Sequence, residues 1–282
     1  MGVLLCVRCD NSRIVYSRED VIDIGWGMIL VKNLVLGISS MGTGDLCTAI
    51  KRSFVTAIGR VIEAPSGSGR ELVGKSVFYR PRIVNGSVCS FSPGDPGDVV
   101  EVGGELQGVE GIIAMEVQLA LKYSRILGPA PLVIGGGFEA YIVLYVLQSI
   151  GVRGATIGRP FRGFETISLS SDTATSRIFS SIYIAGIADE DEKKVLKILA
   201  SRGRIDIYFH PLLAGEEISI PLGSGVRIRS LGYSYPRAKA INLSRKIRKT
   251  AKGYKYLETG FDEEPPLLAD FLVLSLSDSN KG

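Results

Sequence analysis

The stretch 131–152, Pro-Leu-Val-Ile-Gly-Gly-Gly-Phe-Glu-Ala-Tyr-Ile-Val-Leu-Tyr-Val-Leu-Gln-Ser-Ile-Gly-Val, constrains the fold more than any other part of the chain. A short apolar run (Leu132, Val133, Ile134) breaks into glycines and resumes as a longer apolar segment. That pattern predicts a buried strand, a tight turn and a buried helix, which is half of a βαβ unit. The glycines fall as Gly135-x-Gly137-x-x-Ala140, the G-x-G-x-x-A form of the dinucleotide fingerprint. In that fingerprint the first small residue makes the turn, the second lets the backbone approach a pyrophosphate, and the third lets helix and strand pack closely. Gly135, Gly136, Gly137, Phe138, Glu139 and Ala140 are therefore candidate cofactor-binding residues, with the helix N–H groups facing the phosphates. A tight strand-helix turn with no ligand is the competing interpretation, because glycine is plentiful, 34 of 282 residues.

The context supports a ligand. The helix expected over 138–150 contains no Pro or Lys and stops at Gly151, a C-cap residue. A second strand, 155–158, ends at Arg159, about where the fingerprint places a residue beside the adenosine ribose. An Asp or Glu there would favour NAD. An Arg suits a 2′-phosphate, so NADP(H) is the expected cofactor and NAD the lesser one.

At 282 residues and 30.3 kDa the chain has room for two domains. Hydrophobic residues make up 45% and mean hydropathy is +0.23, which fits a packed globular protein and excludes a disordered one. The longest apolar run, 140–152, includes Gln148 and Ser149 and is too short to span a bilayer, so no membrane association is expected. No basic segment precedes a long apolar one at the N-terminus, so a cytoplasmic location is expected. Net charge is +4. The basic stretch 237–255 predicts an amphipathic helix with a solvated face rather than a nucleic-acid surface. Four cysteines (Cys6, Cys9, Cys47, Cys89) offer one C-x-x-C without a second pair to complete four metal ligands, so structural zinc is not expected. Few Cys, one His and abundant Ile, Val, Arg and Glu are compatible with a thermophilic source.

In chain order, residues 3–93 form short β-branched runs cut by Gly, Pro, Ser and Asp, the pattern of a mostly antiparallel barrel or sandwich. Over 108–127, Val109, Ile112, Ile113, Glu116, Leu119, Ala120 and Tyr123 recur at helical spacing. After Arg159, strands are expected over 164–169, 177–185, 204–209 and 226–233. Helices are expected over 189–200, led by acidic residues, and over 238–251, followed by a polar tail. Strands alternating with helices imply a parallel doubly wound sheet.

This order resembles the medium-chain dehydrogenase/reductase family, the zinc alcohol dehydrogenase and quinone reductase superfamily. The segments 27–37, 59–67 and 73–77 look like strands of its GroES-like barrel, 114–120 like the helix before its nucleotide domain, and 202–208 like its "P-G-G-R-I-V" strand. The resemblance implies an α/β fold with a GroES-like β domain (1–127, with 237–282 packing back on it) and a Rossmann-type domain (128–236). Where zinc-dependent members carry a Cys ligand this chain reads Ile38-Ser-Ser-Met-Gly-Thr-Gly-Asp45, with Ser39 or Met41 at the ligand position. No Gly-His-Glu motif is present, so no metal is expected. The zinc-free members then imply hydride transfer with a small carbonyl, enone or quinone, polarised by hydrogen bonds. Candidate donors are Ser39, Ser40, Thr43 and Tyr79, with Thr43 matching the family's hydroxyl relay. His210, after the fifth strand of the doubly wound sheet, is a candidate general acid or else a loop residue capping a carbonyl. Family members pair through the nucleotide domain, which implies a homodimer with strand 226–233 at its edge. The alternative is a non-catalytic descendant that serves as a nucleotide-binding or protein-interaction module.

Overall fold

The computed structural model describes residues 4–11, 13–19, 24–65, 67–157, 160–167, 178–201, 204–214, 216, 226–251, 256–260 and 269–276. The chain divides into two compact units. The first comprises Met1–Ser40, Gly44–Met115 and Ser234–Gly282, and the second Met41–Thr43 and Glu116–Tyr233.

The first unit is β-rich. Strand β1 (Leu4–Asp10) pairs antiparallel with β2 (Arg13–Glu19) and with β6 (Ser87–Cys89) to make a three-stranded sheet. A larger sheet is built on β3 (Ile29–Ser39), which pairs antiparallel with β4 (Val55–Glu63) and β7 (Phe91–Gly94). It extends through β5 (Ser76–Tyr79) to β8 (Val100–Glu101). The β-branched runs bury alternate or all side chains here: Val31, Val35, Leu36 and Ile38 of β3 are fully or nearly fully buried. All four cysteines are paired, Cys6 with Cys89 and Cys9 with Cys47, the latter on α1 (Leu46–Lys51). Read from the sequence as possible metal ligands only, the cysteines are instead crosslinks between segments far apart in the chain. Disulfides persist in oxidising compartments or inside extreme thermophiles.

The second unit begins within α2 (Val109–Ser124) and is a parallel sheet. Its strands are β9 (Pro131–Ile134), β10 (Ala155–Ile157), β11 (Glu165–Ile167), β12 (Ser181–Ile184), β13 (Asp206–Phe209) and β14 (Arg227–Ser230). They lie in the order β11-β10-β9-β12-β13-β14, all parallel. Counted within the unit this is 3-2-1-4-5-6, the doubly wound order with its topological switch between β9 and β12. The two strands at the switch are buried at every residue, whereas edge strand β14 is exposed at every residue. Helix α3 (Phe138–Ser149) is apolar around most of its circumference and accordingly buried, from Phe138 to Leu147 with Tyr145 as the exception. Helix α4 (Glu190–Ser201) buries one face only, Val195, Leu196, Leu199 and Ala200.

Helix α5 (Ala238–Ala251) belongs to the first unit and exposes its basic side while burying Ala240, Leu243 and Ile247. The residues after it are more than the expected polar tail. Strand β15 (Leu257–Gly260) pairs parallel with β16 (Phe271–Ser275), and β16 pairs antiparallel with β3, burying Phe271, Leu272, Val273 and Leu274. Among the described residues no helix is long and apolar enough to cross a membrane.

Candidate functional site

The glycine turn stands where the sequence places it, at the carboxyl end of β9 and the start of α3. Gly135 (φ +90°) and Gly137 (φ +104°) lie in the left-handed region, and Gly137 is the N-cap of α3. In open α/β sheets ligands bind at this end, in the crevice at the switch point. Here that crevice is filled by the chain itself. A Cβ on Gly135 would lie 2.7 Å from Gly186 N, just beyond β12, and one on Gly137 would lie 2.9 Å from Gly42 N. One on Gly42 would meet Gly136 O at 2.6 Å, and one on Gly186 would meet Met41 O at 2.3 Å. Met41 O also accepts the Ile187 N–H at 2.8 Å. The backbone of Met41–Thr43 thus lies against the glycines on the side where the fingerprint expects a pyrophosphate.

Carboxylates complete the closure. Asp189 caps α4 by accepting the N–H groups of Asp191 and Glu192 at 3.1 and 2.8 Å. Glu192 reaches back to the Asp189 N–H at 2.9 Å, forming a capping box. Its other oxygen accepts the Gly135 N–H at 3.3 Å. Glu139, only 1% exposed, sits in the first turn of α3, where a carboxylate is favoured by the positive end of the helix dipole. In this conformation the residues present do not fit a dinucleotide pyrophosphate.

His210 follows β13 at the same end of the sheet and is buried. Its Nδ1 accepts the Leu212 N–H at 3.3 Å, so it caps an amide and not a carbonyl. With Nδ1 an acceptor, Nε2 carries the proton and donates it to Glu116 Oε2 at 3.0 Å. Glu116 Oε1 accepts the Tyr233 hydroxyl at 2.7 Å. Burial, then the neighbouring Glu116 charge, hold the Tyr233 phenol well above its ordinary range. Tyr183, buried against the Tyr123 ring at 4.6 Å between centroids, is raised in the same way, by burial first and then by Tyr123, Glu116 and Glu139. The sequence pointed to His210 but missed Glu116 and Tyr233 as its partners. The available signal was a carboxylate set within an apolar helical stripe.

The other candidates are scattered. Ser40 is buried in the first unit, where its hydroxyl and its N–H both donate to Asp270 O, at 2.9 and 3.0 Å. Ser39 closes β3 with its N–H on Phe54 O at 2.9 Å. Tyr79 donates to Asn33 Oδ1 at 2.7 Å in the core of that unit, and burial pushes its phenol far up. Thr43 is exposed beside Gly42. Phe138 and Ala140 are fully buried. Arg159 lies outside the described residues. Among the described residues no three His, Cys, Asp or Glu side chains converge as a metal site. A groove of about 440 Å³ in the first unit is lined by Glu110, Arg245, Arg248 and Lys249. Both its arginines are already paired, Arg245 with Glu110 at 2.6 Å and Arg248 with Glu258 at 2.8 Å.

Asp45 caps α1 by accepting the Cys47 N–H at 2.9 Å and the Thr48 hydroxyl. The Thr48 bond, helped by the backbone amides and Lys51, holds its carboxyl below the ordinary range. A lowered folded-state pKa stabilises the fold above the unfolded value of about 3.9 and loses that contribution as pH falls through the folded value. Asp45→Ala is therefore expected to lower stability by about 1 kcal/mol near neutrality. The gap from wild type should narrow as thermal unfolding is followed below about pH 4.

No family model and no curated protein matches the sequence. Solved structures do match the fold. The yhdH oxidoreductase of Salmonella enterica, in complex with NADP, is 13% identical with a TM-score of 0.55, over 98% of this chain and 100% of that one. A short chain alcohol dehydrogenase of E. coli CFT073, complexed with NADH, is 11% identical with a TM-score of 0.56, over 97% and 100%. The L-idonate 5-dehydrogenase of Escherichia coli K-12 is 13% identical with a TM-score of 0.53, over 97% and 98%. The antiparallel β unit and the 3-2-1-4-5-6 parallel sheet thus give this chain the fold of these structures, a GroES-like β part and a Rossmann-type parallel-sheet part.

Proposed function

We propose that this chain is an oxidoreductase that takes a nicotinamide dinucleotide at the turn 135–137 once Met41–Thr43 has withdrawn. The carrying observation is the turn's place: left-handed glycines at the switch point of a doubly wound sheet, opening a helix whose glycine N-cap offers no side-chain acceptor of its own. The fold neighbours that hold NADP or NADH support the same reading. NADP(H) is favoured over NAD through Arg159, and the substrate class is a small carbonyl, enone or quinone. Zinc independence is part of the proposal because the donor set is unsuited to zinc: every cysteine is in a disulfide and the one histidine is spent on Leu212 and Glu116. A homodimer through exposed edge strand β14 also belongs to it. A cytoplasmic location fits only a cell interior that keeps protein disulfides oxidised.

A second reading has its own support in the close backbone contact of Met41 with Gly186. If that closure is permanent, the chain is non-catalytic and the fold serves interaction alone. Titration with NADPH and NADH, followed by nicotinamide fluorescence on oxidised and reduced protein, separates the two. Tighter NADPH than NADH binding, with the difference lost in Arg159→Ala, is the expected result. No binding of either nucleotide at millimolar concentration, in either redox state, would leave the interaction reading.

A further inference from the structure

The turn that closes the glycine crevice is strung between two fixed points. On one side Ser40 is tied twice to Asp270 O, by its N–H at 3.0 Å and by its hydroxyl at 2.9 Å. On the other side Cys47, in the first turn of α1, is joined covalently to Cys9 on β1. Residues 44–46 alone connect Thr43 to Cys47. The segment between the anchors is built to bend: Met41 (φ +49°), Gly42 (φ +87°) and Gly44 (φ +75°) all take left-handed backbone. Nothing lies within 4 Å of a Cβ added to Gly44, so that corner of the turn is not packed against a neighbour.

The two disulfides are not equally open to attack. Cys6 and Cys89 are 0% and 3% exposed, whereas Cys9 is partly exposed although its partner Cys47 is buried. Thiol–disulfide exchange requires a thiolate to reach a sulfur, so Cys9 is the reachable one.

We infer that the Cys9–Cys47 disulfide is a redox latch on the glycine turn: reduced, it releases the covalent tie between α1 and β1 and lets Met41–Thr43 leave the crevice between β9 and β12. The function of the opened crevice rests on the dinucleotide reading above; the latch itself does not. In the chemical step a dithiol reductant attacks Cys9 Sγ as its thiolate, and Cys47 departs as the thiolate. The reductant's second thiol then displaces Cys9 from the mixed disulfide. Two electrons and two protons pass to the protein as two thiols, and the dithiol becomes a disulfide.

The test is peptide-resolved hydrogen exchange over residues 131–140, on oxidised protein, on protein titrated with dithiothreitol until only Cys9–Cys47 is open by mass mapping, and on Cys47→Ser without reductant. The Gly135 amide is bonded to Glu192 and its neighbours are covered by Met41–Thr43, so exchange there reports the closure directly. Expected is exchange faster by about tenfold or more in the reduced protein and in Cys47→Ser alike. Equal protection in all three samples would overturn the latch. So would an equal opening in the Cys6→Ser/Cys89→Ser protein, because general loosening of the first unit would then suffice. NADPH titration of the same samples keeps the two ideas apart: faster exchange without NADPH binding upholds the latch and removes the dinucleotide reading.

Discussion

Replacing Cys6 and Cys89 with serine is expected to lower the unfolding free energy of the β unit by about 4.5 kcal/mol, from the loop-closure entropy that a crosslink over 83 residues removes from the unfolded chain. The native side of the balance adds to this. Cys6 and Cys89 face each other in the β1–β6 register, at 0% and 3% exposure, so two serine hydroxyls would be buried where sulfurs pack. Calorimetry of wild type and double variant checks it, and a loss below about 1 kcal/mol would mean that the unfolded state is already restrained. The same entropy argument gives about 4 kcal/mol for the 38-residue separation of Cys9 and Cys47. The two bridges therefore differ little in loop entropy. What separates them is access, and only the reachable one adjoins the closing turn.

Local patterns carried the sequence to most elements of the second unit and to one helix of the first. The apolar run after the glycines is α3, the amphipathic stretch 238–251 is α5, and the acidic lead at Asp189 is the α4 cap. These succeed because periodicity and capping are decided within a turn or two of chain. The losses have one physical origin, partners far away in sequence. Strand β16 is a four-residue apolar run ending on Ser275, and what makes it a strand is β3, more than two hundred residues earlier. Four cysteines allow three pairings, and only the β1–β6 register and the placement of α1 select among them. The glycine motif announced a close approach to the backbone without saying of what, and Gly42 supplies the answer from outside the motif. Glu116 sat in an apolar stripe as a misfit, and its reason, His210 with Tyr233, comes from two later segments.

Gly186→Ala should be the most damaging single methyl at the candidate site. The added carbon would stand 2.3 Å from Met41 O and 2.9 Å from both Met41 C and Gly136 O, all backbone atoms that no rotamer change can move aside. Gly186 has no left-handed φ, so the penalty is steric and not conformational. Either the Met41–Thr43 turn retreats, losing the Ile187 N–H···O bond of 2.8 Å, or β9 and β12 shift apart at the switch point. Overpacking of this kind plus one lost hydrogen bond amounts to about 3 kcal/mol. Gly44→Ala is the control, because its Cβ meets nothing within 4 Å and it pays only the left-handed backbone term of about 1 kcal/mol. Thermal unfolding of both variants should rank them in that order. Hydrogen exchange over 131–140 then shows how the clash is relieved: faster exchange at the glycine turn in Gly186→Ala means that the turn gave way before the sheet did. A substitution that opens the crevice with both disulfides intact would place the closure in the Met41–Gly186 contact, with Cys9–Cys47 acting on it only through the chain that joins them.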